Sequence, residues 1–400
     1  MTHELLAWIG FFITIAILIV GSKIHLGLSF ISGGVILGLF TLSPSETFIQ
    51  IHRTLTNPAD IIFTVALTLI PIIAGVLQET GGIDRIVENL KLGKKSFLGI
   101  SPALIGLLPI PGGALFSAPL IDKAGGTTEG HVKTGINVWF RHLLYFIYPL
   151  SPFLIIPAKI ANLSVYQVIK YQIPFLVIAI GIGYIFLLRK TSGEINFSSE
   201  ASFRKLMPPL SVILIAPILD FILQKIFQFK IGEISMLIAI SSSLMLALLI
   251  NGSLKNVIKK SIKKTKPWNF SLLILGVLIF LNIFETSNMK NLIAALSLSK
   301  ATLTIGFGFL LGVATGRIDL PATIVFPIFL TAYKLNSIPP IIFSITYFAI
   351  FIGYVITPIH PCVGLTLEYF NAEINKFLKL MIPPTLLSLA VAIATWSILI

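Results

Sequence analysis

The sequence is poor in charge. Asp, Glu, Lys and Arg make up 11% of 400 residues, where soluble domains run near a quarter. A soluble fold of this length could not cover its surface with so few charges. That excludes a cytosolic enzyme, a disordered chain and a nucleic-acid-binding domain. Cysteine occurs once, at Cys362, which excludes a disulfide framework and a Cys-rich metal centre. The six histidines (His3, His25, His52, His131, His142 and His360) contain no His-x-x-His or His-x-x-x-His pair. A zinc or di-iron site is therefore not expected, and no cofactor is expected apart from a sodium ion. No polar stretch is long enough for an extramembrane domain.

What is present is apolar: 56% of the residues are hydrophobic and the mean hydropathy is +0.96. The chain reads as an all-α polytopic membrane protein. A spanning helix needs roughly 20 apolar residues, which places spans near 4–20, 26–43, 58–78, 135–157 and 170–188. A second set lies near 207–224, 232–250, 268–285, 338–368 and 378–399. No small-residue cleavage site follows the first run, so it is not expected to be a cleaved signal. The 30 phenylalanines are expected to face lipid or to pack.

Two regions, 96–123 and 299–333, are apolar but interrupted, the first by Pro109-Ile110-Pro111-Gly112-Gly113 and the second by Thr315-Gly316-Arg317-Ile318-Asp319. Arms of about 13 residues reach roughly 20 Å at 1.5 Å per residue, short of the ~30 Å hydrocarbon core. Each region is expected to form a re-entrant hairpin, entering and leaving on one side, its turn satisfied by protein or water.

The net charge of +13, from 29 Lys and Arg against 16 Asp and Glu, sits in short loops. Ten spans place both termini on one side. The opposite side then carries 19 of the 29 cationic residues and the terminal side eight. The positive-inside bias makes the richer side cytoplasmic, with both termini outside a cytoplasmic membrane. The lysine-rich run 255–266 is expected to be a surface helix near anionic lipid.

The halves resemble each other at an offset near 206. Gln78-Glu79-Thr80 corresponds to Phe284-Glu285-Thr286, each followed by an amphipathic stretch. Gly106-Leu107-Leu108-Pro109-Ile110-Pro111 falls opposite Gly312-Val313-Ala314-Thr315-Gly316-Arg317, and Pro149-Leu150-Ser151-Pro152 opposite Pro358-Ile359-His360-Pro361. Residues 1–189 form a first repeat (hairpin 96–123, broken helix 135–157), 190–205 a cytoplasmic linker, and 206–400 a second repeat (hairpin 299–333, broken helix 338–368). Five spans is an odd number, so the repeats are expected to be inverted. The competing explanation is chance, since apolar sequences align easily.

The interruptions carry the chemistry. Prolines inside a helix free backbone carbonyls, and carbonyls unwound at mid-membrane are cation ligands. Pro149, Ser151, Thr315, Thr357 and Pro358 are the candidates for a coupling cation. Pro111, Gly112 and Gly113 open a half-helix whose free N–H groups suit an anion, with Ser117 one turn further on. Arg317 either clamps a substrate carboxylate or pairs with Asp319 and only shapes the tip. His360 either binds substrate or a proton, or is a packed polar side chain. Arg141 and His142 lie two turns into their span and either snorkel to the cytoplasmic face or take part in function. The substrate-binding candidates are thus Pro111, Gly112, Gly113, Ser117, Gly316, Arg317, Asp319 and His360.

Five spans plus a hairpin per half, with a broken span after each hairpin, resemble the ion transporter superfamily, which includes carboxylate and gluconate permeases. Within it, Leu108-Pro109-Ile110-Pro111-Gly112-Gly113-Ala114-Leu115-Phe116-Ser117-Ala118-Pro119 resembles the "domain of unknown function four-hundred-one" family. The resemblance implies a homodimer with a fixed scaffold and a mobile transport domain, moving elevator-fashion with substrate and cation. Its tip residues correspond to Pro111, Gly112, Gly113, Thr315, Gly316 and Arg317, and its break residues to Ser151, Thr357 and His360. The dicarboxylate branch carries Ser-Asn-Thr at tips and breaks; this chain carries none there.

The expected function is secondary active transport of a small organic anion, a carboxylate, coupled to sodium or protons. The rivals are an intramembrane lipid-modifying enzyme or protease, and a passive anion channel. No Gly-x-Ser-x-Gly and no Tyr-Asp with Gly-x-Gly-Asp occurs, and charged rings are missing, so neither rival has its sequence feature and the protein is not expected to be an enzyme. The expected partners are an anionic solute, the bilayer and a second copy, not nucleic acid.

Overall fold

A computed structural model describes residues 3–107, 113–191, 202–251, 254–296 and 298–400, and among them there is no strand. Nine helical stretches among them are long and apolar enough to cross a membrane. Ten crossings were expected. The remaining one, 135–157, is divided among three short helical pieces, none of spanning length.

The first 39 helical residues, α1 (His3–Thr41), are two spans. At His25 the backbone leaves the helical region, with φ −155° and ψ 100°. The arms fold back on each other, and Thr14 Oγ1 donates to the Gly33 carbonyl at 3.1 Å. Next come α2 (Pro44–Thr56), α3 (Pro58–Glu79) and α4 (Gly82–Glu88). Sequence reading left α2 as a connection because its apolar residues form a stripe and not a run. Its start is well specified: Pro44 follows the cap Ser43, whose N–H donates to Glu46 Oε2 at 2.9 Å while Glu46 N–H donates to Ser43 Oγ at 3.2 Å. That capping box holds the Glu46 carboxyl below its ordinary range.

A helical pair, α5 (Lys94–Gly106) and α6 (Ala114–Gly125), follows, then α7 (Gly130–Arg141), a 3₁₀ turn (Leu143–Phe146), α8 (Pro152–Ile160) and α9 (Val165–Phe186). The second half runs α10 (Phe203–Ile226), α11 (Glu233–Asn251), α12 (Leu254–Thr265), α13 (Trp268–Thr286) and α14 (Met289–Ala294). A π-helical turn (Thr302–Phe307) leads into α15 (Gly308–Thr315). Then come α16 (Asp319–Ala332), α17 (Pro340–Ile356), α18 (Pro361–Tyr369) and α19 (Ile374–Leu399). The lysine-rich run is α12, whose Ser261 and Thr265 are buried while Lys264 reaches Glu79 on α3 at 3.0 Å.

The helices sort into two groups. α1 packs on α13, α3 on α11 and α12, α13 on α2 and α3, and α10 on α4 and α11. The second group holds both hairpins and both broken helices. The pair α5/α6 lies on α7 and α18, while α15/α16 lies on α17 and α8. Each hairpin therefore touches the first piece of its own broken helix and the second piece of the other.

Candidate binding site at the two helix breaks

Ahead of each break a hairpin presses on a helix backbone. A Cβ on Gly106 would overlap the Arg141 carbonyl oxygen, and one on Gly312 would sit 2.5 Å from the Ile350 carbonyl oxygen. α7 ends at Arg141, ahead of Pro149, and α8 restarts at Pro152, a residue with no N–H to offer as a donor. α17 ends at Ile356 and α18 restarts at Pro361. The second tip turns at Gly316, with φ +60°, and a Cβ there would lie 2.8 Å from the His360 backbone nitrogen. Only glycine takes this turn and this approach without strain.

A polar network crosses from the first hairpin to the second break. Ser117 Oγ donates to Asn137 Oδ1 at 2.6 Å. Asn137 Nδ2 donates to the Ala114 carbonyl and to Thr366 Oγ1, each at 3.1 Å. Thr366 donates onward to the Cys362 carbonyl at 2.5 Å.

Arg141 lies beside this network and is only 3% exposed. It does not snorkel. Its Nη1 comes no nearer than 3.5 Å to Ser117 Oγ, and its Nε has no hydrogen-bond partner among the described residues. No carboxylate among them pairs with it. Burying an ion away from water costs several kcal/mol, so an uncompensated guanidinium is an expensive feature.

Arg317 is placed differently. Its Nε and Nη2 grip Asp319 Oδ1 and Oδ2 at 3.0 and 3.1 Å, the bidentate geometry of a strong pair. The pair borders a cavity of about 250 Å³, with Pro152, Phe153, His25 and Asn269 also on its wall.

Two imidazoles meet between the breaks. The rings of His142 and His360 lie 4.8 Å apart, and His360 stacks on Tyr354 at 3.9 Å. His142 Nδ1 is 2.7 Å from the Val138 carbonyl, which can only accept, so the ring carries its proton there. His142 Nε2 faces Cys362 Sγ at 3.8 Å. His360 Nδ1 is buried without a partner among the described residues.

Among the cation candidates, Ser151 is buried with a hydroxyl that has no partner among the described residues. Thr315 Oγ1 donates to the Leu311 carbonyl at 2.7 Å, Thr357 Oγ1 accepts from Ile359 N–H at 3.3 Å, and Pro358 is exposed. Pro149 lines a cavity of about 450 Å³. Pro111 and Gly112 lie outside the described residues. Gly113 is buried and caps α6.

Sequence reading did not single out Asn137, Tyr354, Cys362 or Thr366. A signal existed: Asn137 and Arg141 stand four apart on α7, as do Cys362 and Thr366 on α18, giving each helix a polar face within an apolar chain.

A second polar cluster joins the two helix groups. Lys159 on α8 pairs with Glu233 on α11 at 2.7 Å and lies 3.9 Å from Asp60 on α3. Nearby, Asp220 on α10 accepts from Tyr166 on α9 at 2.7 Å and from Ser235 at 2.8 Å.

The model of the family described as "Protein of unknown function (DUF401)" matches residues 5–399. No curated protein matches the chain. The fold is similar to that of a transporter, YdaH from Alcanivorax borkumensis, whose crystal structure is described as having an unusual topology. The TM-score is 0.59 at 14% identity, over 96% of this chain and 97% of that one.

Proposed function

The chain belongs to the DUF401 family, and from that premise we propose that this multi-pass membrane protein is a secondary active transporter of a small organic anion. One observation carries the reading: Arg141 is buried between the hairpin and the breaks without a carboxylate partner among the described residues. A substrate carboxylate supplies the missing charge and takes both prongs of the guanidinium. Ser117 and the N–H groups opening α6, from Gly113 on, hold its other oxygens. His360 closes the second side. Arg317, neutralised by Asp319, lines the approach. A carboxylate is the reading's first choice because bidentate geometry suits it.

The coupling ion is sodium or a proton. Ser151, whose hydroxyl has no partner among the described residues, and the backbone around Pro149 and Pro358 are where a cation would sit. The repeats are read as inverted, with re-entrant hairpins. α5 to α9 and α15 to α19 form the moving body, and the other helices form the scaffold of a homodimer in the cytoplasmic membrane, termini outside. The reciprocal contacts of the hairpins support this division. Lys159 bridges the two bodies at Glu233 and Asp60, a contact that elevator motion must break.

The test is uptake of radiolabelled small carboxylates by proteoliposomes under an imposed sodium or proton gradient. Accumulation against the solute gradient is expected in the parent and not in Arg141→Ala. Equal uptake by both would remove Arg141 from the site, and flux that cannot run uphill would favour a channel.

A further inference from the structure

We propose that His142, His360 and Cys362 form a three-ligand site for a zinc-class cation, with a fourth position open to an anion. The residues are separated by up to 220 positions, so no local motif announces them. The fold brings one ring nitrogen of each histidine and the Cys362 sulfur within 4.8 Å of one another. Tetrahedral zinc, with bonds of about 2.0 Å to nitrogen and 2.3 Å to sulfur, needs an N···S edge of about 3.5 Å. The His142 Nε2 to Cys362 Sγ distance is already 3.8 Å.

The surroundings prepare the ligands. His142 donates its Nδ1 proton to the Val138 carbonyl at 2.7 Å, which leaves Nε2 unprotonated and aims it. This is the outer-shell bond that metal-bound histidines commonly make. His360 is held by its stack on Tyr354 and keeps a buried Nδ1 with no partner among the described residues. The ligand set is two nitrogens and one sulfur, which suits zinc and its softer relatives over magnesium or calcium.

Charge decides the fourth position. Binding replaces the thiol proton: Zn²⁺ and Cys–SH give Zn–S–Cys and a proton released to solvent. The site gains one net positive charge, on a metal held by His142, the residue next in sequence to the buried Arg141. An anion on the metal offsets that gain. The fourth ligand is therefore chloride or a carboxylate, drawn to the same place as the anion assigned to Arg141. In this respect alone the inference leans on the transport reading.

The experiment uses purified full-length protein in detergent, stripped with chelator and titrated with zinc alone. Bound zinc is counted by atomic emission, and cobalt is used in parallel for its thiolate charge-transfer band. One zinc per chain is expected, absent in Cys362→Ser and in His142→Ala, with thermal melting reporting whether each variant is folded. Cobalt bound to the parent protein should show the thiolate band, which does not depend on any variant folding. No zinc above the buffer level, equal zinc in the parent and both variants, or cobalt without thiolate character would each overturn the site. None of these readouts needs flux, so this proposal and the transport reading can fail separately.

Discussion

Gly106 packs directly on the carbonyl oxygen of Arg141, so closely that a Cβ has no room. The first hairpin thus seats itself on the backbone of the residue whose buried charge has no carboxylate partner among the described residues. Gly312 repeats the relation against Ile350 in the second half. The breaks and the hairpins are one packed unit, and the expected effects of substitution follow from that.

Gly106→Ala should destabilise the protein by about 1–3 kcal/mol, the usual cost of forcing a methyl into a filled space. Gly312→Ala should do the same. Thermal melting in detergent reads both. Wild-type melting in each variant would mean that the contacts at the two breaks are loose.

Arg141→Ala should weaken binding of the carried anion by about 2–5 kcal/mol, the range for truncating one partner of a buried charge pair, or at least about 30-fold. Arg141→Lys should recover part of this, because it restores the charge and not the planar fork. The ligand-induced rise in melting temperature measures all three proteins. Equal shifts would rule out the guanidinium as the anchor.

Arg317 should behave as half of a pair. Arg317→Ala leaves Asp319 buried and uncompensated, at a cost of about 3–5 kcal/mol. Removing Asp319 as well should restore much of that stability. A double-mutant cycle on melting measures the coupling. Additive effects would mean that the bidentate bond contributes little.

Lys159 and Glu233 should limit motion between the helix groups. Cysteines at both positions, bridged by a bifunctional methanethiosulfonate reagent as long as the Lys–Glu pair, should stop uptake, and reduction should restore it. Uptake that continues through the crosslinked protein would show that this contact need not open.

Much of the fold was legible along the chain. The kinked first helix pair, the prolines of the second break and the Gly316 turn follow from residues a few positions apart. Helix α2 was not legible, because an amphipathic stripe of 13 residues looks like a connection when only long apolar runs are sought. The first break also opens earlier than its prolines predict, at His142, just past Arg141, on whose carbonyl a glycine 35 residues upstream presses.

The site was half legible. Arg317, Asp319 and His360 stand out as polar residues in apolar surroundings, and so do Arg141 and His142. Sequence position suggested that Arg141 could reach the membrane surface and that Arg317 could be free. The fold places a carboxylate on Arg317 and buries Arg141 with none in reach among the described residues.

What the sequence determined alone was the class of environment: scarce charge and long apolar runs are local properties, and the hydrocarbon core reads them segment by segment. What only the tertiary structure decided was which charges are compensated and which ligands meet. Asn137 bonds Thr366, and His142 faces Cys362, across more than 200 residues of chain. Electrostatic and coordination energies depend on separations of a few ångströms, and for side chains so far apart in sequence only packing sets those.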